Sequence, residues 1–204
     1  MDTSLILQNV QKRIQLTAKE EELFTQKLSK RILKKKEMFH REGEISNALA
    51  FVNKGCLRSY FIDQNGFEHV LSFAIEDWWI SDMYSGTYRQ PGILNIEALE
   101  QTEIILLSNQ DRELLFEQVP KFERFFRILM EKSMINMQQR LLENVSLPAY
   151  DRFVLFVERY PNLLGRVPQI HLAAYLGITP EFLSKIKREW LLSTSKREKA
   201  IQKK

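Results

Sequence analysis

The chain has 204 residues, enough for one generous core or two modest ones. Apolar residues make up 44% and charged residues 27%, which argues against long disorder, and no window approaches the roughly 18 consecutive apolar residues of a membrane helix. The single cysteine, Cys56, excludes a disulfide framework, a cysteine-only zinc site and a four-cysteine iron–sulfur cluster within one chain.

The start, MDTSLILQNVQK, has neither the basic opening nor the cleavage site of a signal peptide, so a cytoplasmic location is expected. Net charge is +4, and its placement is uneven. Residues 181–204 hold eight Lys/Arg against three Glu, which leaves the rest of the chain close to neutral. A polyanion contact is therefore expected at the C-terminal end.

In chain order, residues 2–30 read as two short helices, LILQNVQKRI and a second one starting at Thr17. Glu20 stands three residues after Thr17, a capping-box pattern, and Leu23, Phe24 and Leu28 form the apolar stripe. From Arg31 to Ser108 the texture is that of short strands rich in β-branched and aromatic residues, broken by EGEISN, NKG, DQNG and RQPG. Within it, Leu57 to Ile62 and Phe67 to Phe73 flank Asn65-Gly66, a strong hairpin signal because both residues tolerate positive φ. Cys56 reads as a buried small side chain. Many short strands with such turns predict an antiparallel sandwich or jelly roll.

After Ser108 the pattern is helical. A short helix opens at Asn109-Gln110-Asp111, and a long one begins at Pro120 and runs through LLENV without internal Gly or Pro. Phe122, Phe125, Phe126, Leu129, Ile135, Met137 and Leu141 give it more apolar surface than one small domain needs, which predicts a homodimer along this helix. A further helix is expected from Ser146 to Tyr160, with Pro148 in its first turn and Pro161 and Gly165 ending it.

The last segment contains LAAYLGITPEFLSKIKREW. Two helices crossing near a right angle need a small residue at the contact and a tight turn between them. Ala173 and Gly177 supply these, and Leu172, Leu176, Ile178, Leu183 and Ile186 fall on the inner positions. Thr179 caps the second helix, Pro180 is its first residue and Glu181 lies in its first turn. This is a helix-turn-helix pattern whose second helix would read DNA. Glu181 can accept from cytosine N4 and Lys185 can donate to guanine O6 and N7, while Lys187 and Arg188 suit phosphates. Thr179, Pro180, Glu181, Lys185, Lys187 and Arg188 are the candidate DNA-binding residues.

At this point the chain resembles the Crp/Fnr transcription regulators, through LGITPEFLSKIKRE and, near the start of the β-region, FHREGEISNALAFVNKGCLRSYFID with its G-x-x-R hairpin. The resemblance spans nearly the whole chain. It implies an α+β fold: an N-terminal double-stranded β-helix (a jelly roll, cyclic-nucleotide-binding-like), a long dimerisation helix and a C-terminal winged helix-turn-helix. Glu181 and Lys185 fall on the family's base-reading positions. The expected division is residues 1–118, 119–145 and 146–204. A wing is in doubt, because only Leu163 to Pro168 and the basic Ser193 to Lys204 are available to form one; phosphate contacts are then expected from the tail.

Nucleotide-binding members carry Gly-Glu followed by Arg-Ser, the Arg neutralising the cyclic phosphate and the Glu accepting from the ribose. Here Ser81-Asp82 replaces Gly-Glu, and the Arg and Ser positions fall near Gly92 and Ile93. No cyclic nucleotide and no other cofactor is expected. Trp79, Asp82, Tyr84 and Arg89 are the weaker candidates for contact with some other ligand, and Trp78 and Tyr88 extend the aromatic run; packing is the commoner role of such aromatics. His40, His69 and His171 show no metal spacing, and no Ser-His-Asp, Cys-His or metal pattern suggests an enzyme.

The expected function is a homodimeric, sequence-specific DNA-binding transcription regulator with a degenerate sensor domain. Its partners would be double-stranded DNA, a second copy, RNA polymerase and an unidentified small-molecule effector, with no membrane contact. The alternative is a small-molecule or protein binding module without DNA binding.

Overall fold

The computed structural model describes residues 1–201, and side chains up to residue 193. Two helices, α1 (Ser4–Gln11) and α2 (Ala18–Gln26), open the chain. The capping box of α2 forms as expected: the Thr17 hydroxyl accepts from the Glu20 N–H, and Glu20 accepts from the Thr17 N–H at 2.7 Å. Leu28 does not extend the stripe of α2. It opens β1 (Leu28–Leu33), because the helix stops at Gln26 and Leu28 pairs with Leu107 across the sheet.

Seven further strands follow: β2 (Met38–His40), β3 (Ala48–Lys54), β4 (Leu57–Ile62), β5 (Glu68–Ala74), β6 (Trp79–Ile80), β7 (Asn95–Ala98) and β8 (Thr102–Ser108). They form two antiparallel four-stranded sheets, ordered β1-β8-β3-β6 and β2-β7-β4-β5. Between them lies a core of Leu33, Ala50, Val52, Leu57, Ala74, Ile80, Ile96, Ala98 and Ile104. Alternating side chains of sandwich strands face inward, so these positions exclude water from both sheets at once. One short helix interrupts the strands, α3 (Met83–Tyr88), which the aromatic-rich texture of that stretch concealed.

α4 (Asn109–Gln118) and α5 (Lys121–Ser146) come next. The N-terminal half of α5 buries Phe122, Phe125 and Phe126 against α1, α2 and the β1-β8-β3 sheet, with Ile6, Val10, Phe24, Phe51, Ile105 and Leu115. Its C-terminal half carries Met134, Ile135, Met137, Leu141, Leu142 and Val145, each at least half exposed. α6 spans Ala149–Arg159, with Pro148 as its N-cap and not inside its first turn; α5 takes up Ser146.

The last pair is α7 (Gln169–Leu176) and α8 (Pro180–Ile201). The backbone of α8 stays helical beyond Leu192, through a run of Lys, Arg, Glu and Ala, all good helix formers. The side chains of the basic tail after Ser193 lie outside the described residues. Among the described residues no strand follows β8, so the helix pair has no wing hairpin, and Pro161 to Pro168 are turn and loop.

Candidate nucleic-acid interface

The α7–α8 corner is made by local chemistry. Gly177 stands at φ 65° and ends α7, its N–H donating to Ala173 O; the Ile178 N–H donates to the same carbonyl. A side chain at that φ is disfavoured, so glycine allows the chain to reverse there at low cost. The Thr179 hydroxyl then accepts from the Phe182 N–H at 3.2 Å and caps α8. Gln169, at the start of α7, donates to Pro180 O at 3.1 Å and ties the two helix starts together.

Ala173 is fully buried at the crossing, and Leu172, Leu176, Leu183 and Ile186 pack with it over Phe153 and Phe156 of α6. Trp190 closes the far end, edge-on to Phe153 at 5.9 Å between ring centroids. Arg152 donates to Leu147 O at 2.7 Å and Leu176 O at 2.9 Å, satisfying carbonyls at two helix ends. Ile178 is half-buried and not fully inside.

With the inner face so occupied, α8 turns the other side out. Thr179, Glu181, Phe182, Lys185 and Arg188 are exposed, while Pro180 and Lys187 are half-buried. Glu181 and Lys185 are four residues apart and share one face. The structure thus brings the six expected DNA-contacting positions onto one helix start and its cap.

The weaker ligand candidates do not converge. Trp79 packs against Phe51, Phe125 and Phe126 and donates its indole N–H to Asn9. Asp82 is buried and caps α3, accepting from the N–H groups of Ser85 at 3.0 Å and Leu94 at 3.3 Å. Tyr84 and Arg89 are exposed, and Arg89 ends α3 at φ 55°. Where the resemblance would place the phosphate-binding arginine, Gly92 is so tightly enclosed that a Cβ would lie 2.8 Å from His40 Nε2 and closer still to Asp82 Oδ2. Buried Ser85 knits the same loop, accepting from Ser46 N–H at 2.8 Å and donating to Gln90 O at 2.6 Å.

The sequence reading missed a set of residues that join the helix pair to the β-sandwich. Arg166, in the turn before α7, reaches Glu76 at 2.9 Å and Glu100 at 2.5 Å, and both acids hold its pKa above the usual arginine value. Arg140 of α5 lies over the Tyr175 ring, 3.9 Å from its centroid, and donates to the carbonyls of Val70, Leu71 and Tyr175. His171 of α7 meets Arg58 of β4, Nδ1 to Nη1 at 2.7 Å. Around these contacts one apolar cluster runs from Cys56, Tyr60, Val70, Phe73 and Leu99 of the sandwich to Phe156, Leu163, Val167 and Leu172. Burial within it pushes the Cys56 thiol up to about 12. No single motif encodes this joint, because its members come from six separate stretches of chain.

A model of the cyclic nucleotide-binding domain matches residues 30–119. Among solved structures, FixK2 from Bradyrhizobium japonicum is similar over 82% of this chain and 86% of its own, with a TM-score of 0.71 at 18% identity. CLP, the c-di-GMP responsive global regulator of Xanthomonas campestris, is similar over 87% and 93%, with a TM-score of 0.70 at 16% identity. A crp/fnr family transcriptional regulator from Eubacterium rectale is similar over 87% and 85%, with a TM-score of 0.68 at 16% identity. No curated protein matches the sequence. Residues 30–119 therefore form a cyclic nucleotide-binding-type domain, and the chain as a whole has the fold of the Crp/Fnr regulators.

Proposed function

We propose that this chain is a sequence-specific DNA-binding transcription regulator of the Crp/Fnr type that works as a homodimer and does not respond to cyclic AMP. The observation that carries the reading is the α7–α8 corner: Gly177 in the left-handed region, a capped α8, and Glu181, Lys185 and Arg188 free on one exposed surface. The start of such a helix fits the major groove, where Glu and Lys read base edges.

The exposed apolar stretch of α5 supports pairing with a second copy, since a lone helix seldom leaves six large apolar residues to water. Two copies would set their reading helices about 34 Å apart, one turn of the duplex. The enclosed Gly92 and the engaged Asp82 support the loss of cyclic nucleotide binding, because neither a guanidinium nor a free carboxylate is offered to the ligand.

The test is selection of genomic DNA fragments by the purified protein, without added ligand, at about physiological salt, where non-specific binding is weak. A two-fold symmetric site is expected. Charge reversal of Lys185 and Lys187 is expected to abolish its capture; capture that survives the reversal would take the DNA contact away from α8, and no enrichment by the unaltered protein would assign the chain instead to binding without DNA.

A further inference from the structure

The joint between the helix pair and the sandwich has one member that can change charge near neutral pH. Arg58 is 3% exposed in the middle of the second sheet, held by Glu68 and Glu97 and lying 3.9 Å from the centroid of the Tyr60 ring. It cannot follow a moving partner without breaking these contacts. Its Nη1 reaches across the joint to His171 Nδ1 at 2.7 Å. A guanidinium has only donors, so at that distance the imidazole nitrogen must be an unprotonated acceptor. The contact that ties α7 to β4 therefore exists only while His171 is neutral.

We infer that His171 makes the docking of the DNA-reading helix pair onto the sandwich acid-sensitive, closed when the imidazole is neutral and released when it takes a proton. This rests on the proposed DNA-reading role of that pair and adds a regulation to it. Every charged group facing His171 bears on the sign. Arg58 on β4 and Lys36 in the β1–β2 turn oppose the protonated form, while Glu68 on β5 and Glu97 on β7 favour it. Burial and Arg58 together outweigh the two acids and hold the His171 pKa below the ordinary 6.5. Glu68, with its carboxylate 3.7 Å from Nδ1, is already committed to Arg58, and turning to a protonated His171 would cost that arginine one of its two carboxylates.

The sign follows by linkage. The released pair has an ordinary histidine that takes a proton near 6.5, whereas the docked one resists it. Docking is thus at full strength above that value and weakens as pH falls through it towards the lowered one. Glu68 is itself held below the usual carboxylate range, and so stays charged throughout this window. Release would free α7 from β5 and from Arg140, and with it α8 and the fixed placement of Glu181 and Lys185 relative to α5.

Hydroxyl-radical footprinting of the full-length protein without DNA tests this, because the joint is lined by Phe73, Phe156, Tyr160 and Tyr175. At about pH 5 these rings are expected to label several-fold faster than at about pH 8, the span in which histidine titrates. Phe51 and Phe122, buried at the other end of the sandwich, should keep their rate and report an intact fold. His171→Gln, which keeps an acceptor but cannot charge, is expected to label slowly at both pH values, and His171→Lys rapidly at both. An acid response of equal size in His171→Gln, or none in the wild type, overturns the switch. DNA selection fails separately if the regulator reading is wrong, since footprinting needs no DNA.

Discussion

Glu181 and Lys185 lie one turn apart on the exposed start of α8, while Lys187, two residues on, leans back half-buried. On the proposed reading, Glu181 and Lys185 would reach base edges while Lys187 would hold the backbone. Glu181→Ala should lower discrimination at one base pair of the selected site by about 1–3 kcal/mol, with little loss on fragments already mismatched there. Lys187→Ala should weaken binding to every fragment alike. Titration of the site and its single-base variants at fixed salt checks both, and an equal loss across all variants for Glu181→Ala would remove it from base reading. The start of α8 was legible because Gly177, Thr179 and Pro180 mark a helix boundary by their own backbone chemistry. Arg58 and His171 were not, since 113 positions separate them and neither has a local reason to be unusual.

α5 changes partner along its length. Its first three turns bury Phe122, Phe125 and Phe126 against its own chain, and from Met134 onward the same helix turns large apolar side chains to water. Leu141, 63% exposed, costs the isolated chain little to replace. Leu141→Glu should therefore leave the thermal midpoint of the sandwich almost unchanged while placing like charges across a dimer seam, shifting sedimentation from dimer to monomer at micromolar concentration. A dimer that persists with its affinity intact would move the interface elsewhere. The uninterrupted helix and its apolar excess could be read from sequence because periodicity is local. The end of α2 and the short α3 could not. Leu28 suits a helix stripe as well as a strand, and only its pairing with Leu107 decides. α3 depends on Asp82 capping it from a buried position.

At the level of the whole molecule, the order of strands then helices announced the sandwich and the helical end, whereas their mutual docking was hidden because it is built from charges and rings distant in sequence. That docking joins the cluster from Cys56 to Ile186 across both parts, so a ligand bound in the sandwich would be felt by the entire chain. Cyclic AMP gives the sharpest case. Saturated at 100 times its Kd, a ligand of the native state adds about 2.7 kcal/mol of stability. For a chain of this length that raises the thermal midpoint by about 5–10 °C. Here the place for the phosphate-binding arginine is closed by Gly92 against His40 and Asp82, and Asp82 already accepts two backbone N–H groups. Arg89, the nearest alternative cation in that loop, ends α3 in the left-handed region with its side chain in solvent. On the proposed reading, opening this loop would break the Ser85 hydrogen bonds to Ser46 and Gln90 and those that Asp82 accepts from Ser85 and Leu94, with no buried cation placed to recover the loss on a cyclic phosphate. Millimolar cyclic AMP should accordingly leave the midpoint unmoved in a thermal scan, and a dose-dependent rise would show that the loop opens and that the site is intact in another conformation.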